Sequence, residues 1–328
     1  MLDKSFPFYV LIFGTTFILT VIIEKALVPI LSSKAKQPIY SEGPSWHESK
    51  SGTPTMGGLA FLISITTSLG AVIAYMLASG NREVGIPLLL SLIYSVANAF
   101  IGLYDDLKKL LKKENKGLTA KEKLILQITV AAAFLMTRAI FLEEPTTLVF
   151  SFGLLDAGIL YYPCALLLLV GLVNMANLTD GIDGLASGVG ITAAVSLFYI
   201  SASLVPETAF ITSAIIGGAL GFLFFNINPA KIFMGDTGSL FLGALLISAS
   251  FMLSNPLITL SVNSVYVIEG ASVILQVITY RLTKKRLFKM APIHHHLEKC
   301  GWSESKICFA AILLTLISSI PAYILYTP

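Results

Sequence analysis

The chain has 328 residues, of which 55% are hydrophobic and only 12% charged, with a formal net charge of +3. A soluble domain carries about 25% charged residues, so this composition excludes an ordinary soluble enzyme and gives no reason to expect a nucleic-acid partner. Three cysteines, Cys164, Cys300 and Cys308, lack CxxC spacing, which argues against a disulfide framework or a zinc site.

A membrane span takes about 20 mostly apolar residues. The first such run, 6–31, has neither the strongly basic start nor the small-residue cleavage site of a signal peptide, so it reads as a retained helix. Nine further runs follow at 56–78, 86–104, 124–142, 158–175, 186–205, 209–226, 238–254, 262–281 and 306–326. Only the turn signal Val205-Pro206-Glu207 splits the sixth from the seventh. The run 238–254 is short and reads as tilted or broken. The expectation is an all-α, polytopic membrane protein with about ten transmembrane helices, a single integral membrane domain over 1–328.

Charge orders the loops. Nineteen of the 22 Lys and Arg fall on loops 32–55, 105–123, 176–185, 227–237 and 282–305 or on the adjoining helix ends, against Lys4, Arg82 and Arg138 opposite. The positive-inside rule makes the basic side cytoplasmic and puts both termini outside. Five of the seven aspartates, Asp105, Asp106, Asp180, Asp183 and Asp236, lie on the same side as the basic loops. Three separate loops therefore bring carboxylates to one membrane face.

Each polar motif has a functional and a structural reading. In Asn177-Leu-Thr-Asp180-Gly-Ile-Asp183-Gly the two carboxylates are spaced i, i+3 and share a helical face; Thr179 or Asp180 as a helix cap is the alternative. Asp105-Asp106-Leu-Lys108-Lys109 suits a hard cation held by oxygen ligands, or a solvated helix end whose lysines pair the aspartates. Asp236 lies between two glycines in Phe233-Met-Gly-Asp-Thr-Gly-Ser239, either to hold a cation at a helix start or to cap it. Lys50-Ser-Gly-Thr53-Pro-Thr55-Met-Gly-Gly58 is a phosphate cradle or a Thr-capped helix with Pro54 near its first position. His294, His295 and His296 are consecutive, so they do not form a one-face zinc site; they suit phosphate donation, proton transfer or base stacking. The run 105–123 carries seven lysines, mostly a solvated or lipid-headgroup face, with Lys121 and Lys123 near enough to the fourth span to reach a site. Glu269 and Gln276 share a face of the ninth span, where ionisable residues turn inward. Together these groups suit a cation-assisted reaction on a phosphorylated substrate at the membrane surface.

The motifs GTPTMGG (52–58), DD (105–106), NLTDGIDGLA (177–186), FMGDTGS (233–239) and APIHHHLE (291–298) occur in the order of the polyprenyl-phosphate N-acetylaminosugar 1-phosphate transferase superfamily, which the chain resembles over nearly its whole length. The triple histidine resembles the branch that handles muramoyl-pentapeptide. The resemblance implies transfer of phospho-MurNAc-pentapeptide from UDP-MurNAc-pentapeptide to undecaprenyl phosphate, giving lipid I and UMP in peptidoglycan synthesis. It implies Mg²⁺ as cofactor with Asp236 as its ligand, a cytoplasmic cleft in a bacterial inner membrane among membrane lipids, and a homodimer. It assigns Asp105 and Asp106 to the lipid phosphate, with Asp105 as the favoured base, and Lys121, Lys123 and His294 to phosphate oxygens. It assigns Lys50, Thr55, Asn177, Asp180, Asp183, Phe233, Gln276, His295 and His296 to the substrate, with Phe233 stacked on uracil. Transfer of GlcNAc-1-phosphate by a sister enzyme, a covalent phospho-aspartate intermediate and a polytopic transporter are the alternatives.

Overall fold

A computed structural model describes residues 6–34, 52–112, 117–142, 146–253 and 255–326. The helices are α1 (Phe6–Lys34), α2 (Gly58–Ala78), α3 (Arg82–Lys112), α4 (Ala120–Phe141), α5 (Tyr161–Thr179), α6 (Leu185–Ser201), α7 (Pro206–Asn226), α8 (Gly235–Ser250), α9 (Ile258–Val262), α10 (Ser264–Thr283), α11 (Ile293–Glu298) and α12 (Glu304–Tyr326). Among the described residues, ten long helices fall on the ten expected spans, and eight are long and apolar enough to cross a membrane. The chain is an all-α, multi-pass membrane protein.

The other two, α6 and α8, have 17 and 16 residues. At 1.5 Å per residue they reach about 25 Å, less than a hydrocarbon core of about 30 Å. Packing explains the shortfall. α8 is buried from Thr237 to Ser250 and is enclosed by α2, α3, α5, α6 and α7. It packs against protein along that whole stretch, so lipid contact does not set its length. Outside it, α1, α4 and α12 expose Leu11, Ile18, Met136, Ile140, Phe309 and Ile324, which suits helices facing lipid tails.

Small residues bring the central helices together. A Cβ added to Gly58 would lie 2.2 Å from the Cα of Gly238, and one added to Gly102 would lie 2.3 Å from the carbonyl oxygen of Asp236. α2 and α3 therefore touch α8 backbone to backbone, which only a missing side chain allows. This contact sets the N-terminus of α8 against the last turns of α3. The segment before α2 joins it: Phe233 N–H donates to Pro54 O at 2.8 Å, Gly57 N–H to Phe233 O at 2.9 Å, and Gly58 N–H to Met234 O at 2.9 Å. α2 starts after Gly57 with no side-chain cap, so the Thr53 or Thr55 capping alternative is set aside. Likewise α6 starts after Gly184 with no side-chain cap, and neither Thr179 nor Asp180 caps it.

At the opposite end, β1 (Thr147–Phe150) and β2 (Gly153–Asp156) form an antiparallel hairpin with Thr147 across from Asp156. No element is expected there from the apolar runs. Asp156 accepts from Thr146 Oγ1 at 2.7 Å and Gly158 N–H at 2.9 Å; the Thr146 hydroxyl, then the Gly158 amide, hold its carboxyl below the usual range. Arg138, one of three basic residues assigned to this side, is buried in α4, donates to Phe251 O at 2.7 Å and lies 5.3 Å from the Phe134 ring.

Candidate active site

Five connecting segments converge at one end of the bundle. They are the stretch before α2 and the α3–α4, α5–α6, α7–α8 and α10–α12 connections, joined by the contacts that follow. They are the basic, aspartate-rich loops of the sequence.

At their centre stands Asp236, in the first turn of α8. Lys109 of α3 places its Nζ 2.6 Å from Asp105 Oδ2 and 3.0 Å from Asp236 Oδ2. Lys123 of α4 places its Nζ 3.0 Å from the same Asp236 oxygen and 3.5 Å from Asn177 Oδ1. Asn177, near the end of α5, donates Nδ2–H to Asp236 Oδ1 at 2.9 Å and to Ser239 Oγ at 2.7 Å. Three helices thus aim side chains at one carboxylate of a fourth, which is only 18% exposed. Little water screens these charges, so each acts more strongly than at a surface.

The helix start that presents Lys123 is built locally. Thr119 caps α4 and exchanges bonds with Glu122, its N–H reaching Glu122 Oε2 at 2.7 Å while Glu122 N–H reaches Thr119 Oγ1 at 3.2 Å. This capping box starts the helix in place and points Lys123 inward while Lys121 is exposed. Lys109 is a residue the sequence reading treated only as an ion-pair partner. Its i, i+4 spacing from Asp105 was the available signal.

The adjacent aspartates do different things. Asp105 takes Lys109 on one oxygen and the Leu118 N–H on the other. Asp106 turns toward α8, accepting from Asp236 N–H at 3.1 Å, Thr237 N–H at 2.9 Å and Thr237 Oγ1 at 2.6 Å. It satisfies the free amides at the start of α8 and puts a negative charge at the positive end of that helix. Asp236 itself does not cap the helix; Asp106 caps it from another helix.

Ligand oxygens of Asp105, Asp106 and Asp236 lie within 4.8 Å of one another, a spacing that can hold a metal ion. Three carboxylates face two ammonium groups, Lys109 and Lys123, so among the described residues the cluster keeps an excess negative charge. Carboxylate oxygens suit Mg²⁺. The Lys109 ammonium already bridges Asp105 and Asp236, so a cation is accepted between these two groups.

The other expected site residues divide into two sets. Thr55 is buried beside Gly235, and Phe233 is half-buried with its backbone tied to Pro54 and Gly57. Asp180 is half-buried at the end of α5. Asp183 is buried and holds neighbouring backbone: its Oδ2 accepts from Asn228 Nδ2 at 3.1 Å and Ala230 N–H at 3.0 Å, while its own N–H donates to Glu304 Oε2 at 3.0 Å. Gln276 holds the strap after α10, accepting from Leu287 N–H at 3.0 Å and Phe288 N–H at 2.9 Å and donating to Phe288 O at 3.2 Å. His295 pairs with Glu298 at 2.6 Å, and His296 Nδ1 accepts from Lys289 N–H at 3.1 Å. His294 is buried against the α5–α6 turn, where a Cβ on Gly181 would lie 2.2 Å from its Nε2. Lys50 lies outside the described residues. Asn228 and Glu304, which brace Asp183, carried no motif signal.

The family model described as "Glycosyl transferase family 4" matches residues 88–254, and a phospho-N-acetylmuramoyl-pentapeptide-transferase signature matches residues 50–62. The chain is 41% identical over 295 residues to the phospho-N-acetylmuramoyl-pentapeptide-transferase of Halalkalibacterium halodurans, covering 89% of each chain. The protein of the same name from Caldicellulosiruptor bescii is 40% identical over 307 residues, 92% of each. That from Clostridium perfringens is 38% identical over 313 residues, covering 95% of this chain and 94% of its own. The chain belongs to the phospho-N-acetylmuramoyl-pentapeptide-transferase family. It is an enzyme, a phosphotransferase of the membrane. The matched ranges contain Asp105, Asp106, Lys109, Lys123, Asn177 and Asp236, so the geometric cluster and the family assignment coincide.

In this transferase Asp180 and Asp183 separate by experiment. Asp183→Ala strips Asn228 and Ala230 of their shared acceptor, a cost of about 1–3 kcal/mol, so folded yield falls in step with activity. Asp180→Ala is expected to lose turnover by about a hundredfold, with a smaller loss of folded yield than Asp183→Ala. Size-exclusion yield in detergent, measured beside activity, checks both; the reverse pattern would exchange the two roles.

Proposed function

We propose that this transferase moves phospho-MurNAc-pentapeptide from UDP-MurNAc-pentapeptide to undecaprenyl phosphate, releasing UMP and forming lipid I for peptidoglycan synthesis. The site faces the cytoplasm of a bacterial inner membrane, with both termini outside. The observation that carries this reading is the carboxylate–lysine cluster around Asp236, built from four helices at the bundle end that bears most of the positive charge.

Phosphoryl transfer depends mainly on positioning and charge neutralisation. An oxygen of the lipid phosphate attacks the β-phosphorus of the nucleotide. A new phosphorus–oxygen bond forms, the bond from the β-phosphorus to the bridging oxygen breaks, and UMP leaves with that oxygen and the electron pair. Asp236 and Asp105 would hold Mg²⁺, which when bound neutralises phosphate charge and orients both phosphates. Asp106 keeps α8 and Asp236 in place. Asp105 also takes a proton from the lipid phosphate. Lys109, Lys121, Lys123 and His294 meet phosphate oxygens. Lys50, Thr55, Asn177 and Asp180 contact the nucleotide, and Phe233 stacks on uracil. Asp183, Gln276, His295 and His296 shape the rim through the bonds described above.

The test is UMP release by purified protein in detergent with undecaprenyl phosphate and Mg²⁺, with UDP-MurNAc-pentapeptide and UDP-GlcNAc offered in parallel. Turnover with the first donor alone is expected. Turnover with UDP-GlcNAc alone would move the protein to a sister branch. Donor flux in proteoliposomes without UMP would mark a transporter.

A further inference from the structure

The connection between α4 and α5 has little polar surface. From Thr147 to Leu160 it reads TLVFSFGLLDAGIL, with Asp156 as its only charge. That carboxylate is taken up by Thr146 Oγ1 and the Gly158 N–H. A hairpin with one face in water alternates apolar and polar residues. Here both faces carry apolar side chains. Successive side chains point to opposite faces, so Val149 and its cross-strand partner Leu154 share one face, and Leu148 and Leu155 the other. Leu148 is buried, while Phe152 at the turn, Leu154 and Leu155 are exposed at 77%, 74% and 56%.

The helices on either side set the level of this surface. β2 ends at Asp156, and the apolar span that contains α5 starts at Gly158. Ile159 and Leu160 at the start of that span are exposed, as are Ile140 and Phe141 at the end of α4. The chain therefore enters and leaves the hairpin at the edge of its lipid-facing surface. A four-residue strand is about 13 Å long, and the headgroup layer on one side of a bilayer is about 5–8 Å thick. A hairpin standing upright would carry Phe152 through that layer into water. It does not stand free, because β1 packs on α12 and Leu148 is buried. It leans back on the bundle end between α4 and α12, which both face lipid, and its apolar surface continues theirs.

Two further observations fix the depth and the partner. A two-stranded sheet leaves N–H and C=O groups unpaired along both edges. The hydrocarbon core does not tolerate such groups, whereas headgroups and their water satisfy them. Aromatic rings gather at this level: Phe150 stacks on Phe152 with centroids 5.0 Å apart, and Tyr161 meets Tyr162 edge-on at 5.6 Å. Aromatic belts mark membrane interfaces in the same way. No Lys or Arg occurs between Arg138 and Lys231, so no cation of this segment recruits anionic lipid.

We propose that the 147–160 hairpin is an interfacial membrane anchor: Phe152, Leu154 and Leu155 insert at the boundary of headgroups and acyl chains in the leaflet opposite the Asp236 cluster. The partner is the apolar part of the lipid rather than a particular headgroup, so neutral phosphatidylcholine suffices. The anchor ties the ends of α4 and α5 to the bilayer surface, and α4 carries Lys123 at its other end. None of this depends on which donor the transferase takes.

Nitroxide labels on the full chain in phosphatidylcholine vesicles test this. Cys164, Cys300 and Cys308 are replaced by serine, and the labels are attached at Phe152→Cys and Leu154→Cys. Asn81→Cys is the water reference, exposed in the turn between α2 and α3 at the same end of the bundle. Both hairpin labels are expected to relax with oxygen, which partitions into lipid, and to escape a water-soluble nickel chelate that acts fully at Asn81→Cys. No charge takes part, so the pattern is expected to persist at about 1 M salt, where surface charges are screened. Nickel acting at 152 and 154 as it does at 81 would overturn the proposal and put the hairpin in water. Protection from both reagents would overturn it in favour of a protein cover, such as a second copy of the chain. Loss of the pattern in salt would overturn it in favour of a charged partner. Should the cysteine-free chain fail to fold, Phe152→Trp in the otherwise native chain decides. Lipids brominated at the top of the acyl chain are expected to quench its emission, once that of the two native tryptophans is subtracted, and absence of quenching would overturn the proposal.

Discussion

Asp236→Asn is expected to lower turnover by about a thousandfold while the protein still folds. The change keeps the volume and the Asn177 contact. It removes the charge that faces Lys109 and Lys123 at 3.0 Å each. Loss of one preorganised electrostatic group in a water-poor site costs about a hundredfold to a thousandfold. Here the lost group also keeps two lysines at their posts, so the upper figure applies. Both lysines are partly exposed, 23% and 14% for their side chains, and can turn to solvent, so folding survives. UMP release and the detergent melting temperature measured together check this. A variant with a tenth or more of wild-type turnover would remove Asp236 from the centre of the reaction.

Gly102→Ala is the second large effect, and it links the fold to the site. The new Cβ would lie 2.3 Å from Asp236 O and 2.6 Å from Thr237 N. Both are backbone atoms of α8, so no side chain can swing aside. α3 and α8 must part, at an overpacking cost of about 1–3 kcal/mol. The same movement draws Asp105, Asp106 and Lys109 away from Asp236. A misplacement of about 1 Å in an active site costs about a hundredfold in rate. A fall in both melting temperature and kcat is therefore expected. Gly70→Ala in α2 is the matched control, since its added Cβ meets nothing within 4 Å. Equal behaviour of the two variants would mean that the α3–α8 contact does not position the site.

Much of this site could be read from the sequence because hydropathy and charge are properties of long segments. Ten apolar runs located the ten long helices, and the basic loops marked the end where Asp105, Asp106 and Asp236 meet. What escaped depends on contacts between distant residues. Asp106 lies 130 residues from the amide it caps, so its capping role left no mark in its own neighbourhood. The bonds of Asp183 to Ala230 N–H and of Gln276 to Leu287 and Phe288 go to backbone groups, which leave no mark on sequence. In GTPTMGG, Gly58 lets α2 touch Gly238, a contact the motif does not announce. Glu269 had no visible partner until α11 folded back on α10. The hairpin at 147–156 has strands of four residues, too short for a period-two pattern to stand out. The shortness of α8 goes with its burial among other helices, which hydropathy does not report.

The most direct measurement of the central claim is Mn²⁺ binding, with Mn²⁺ standing in for Mg²⁺, followed by electron paramagnetic resonance on purified protein in detergent. Wild type is expected to bind one ion per chain at the carboxylate cluster, with Mg²⁺ competing for it and EDTA abolishing UMP release. Asp236→Asn is expected to lose that ion while keeping its melting temperature. Undiminished binding in Asp236→Asn, or full turnover in EDTA, would contradict a metal-assisted transfer centred on Asp236.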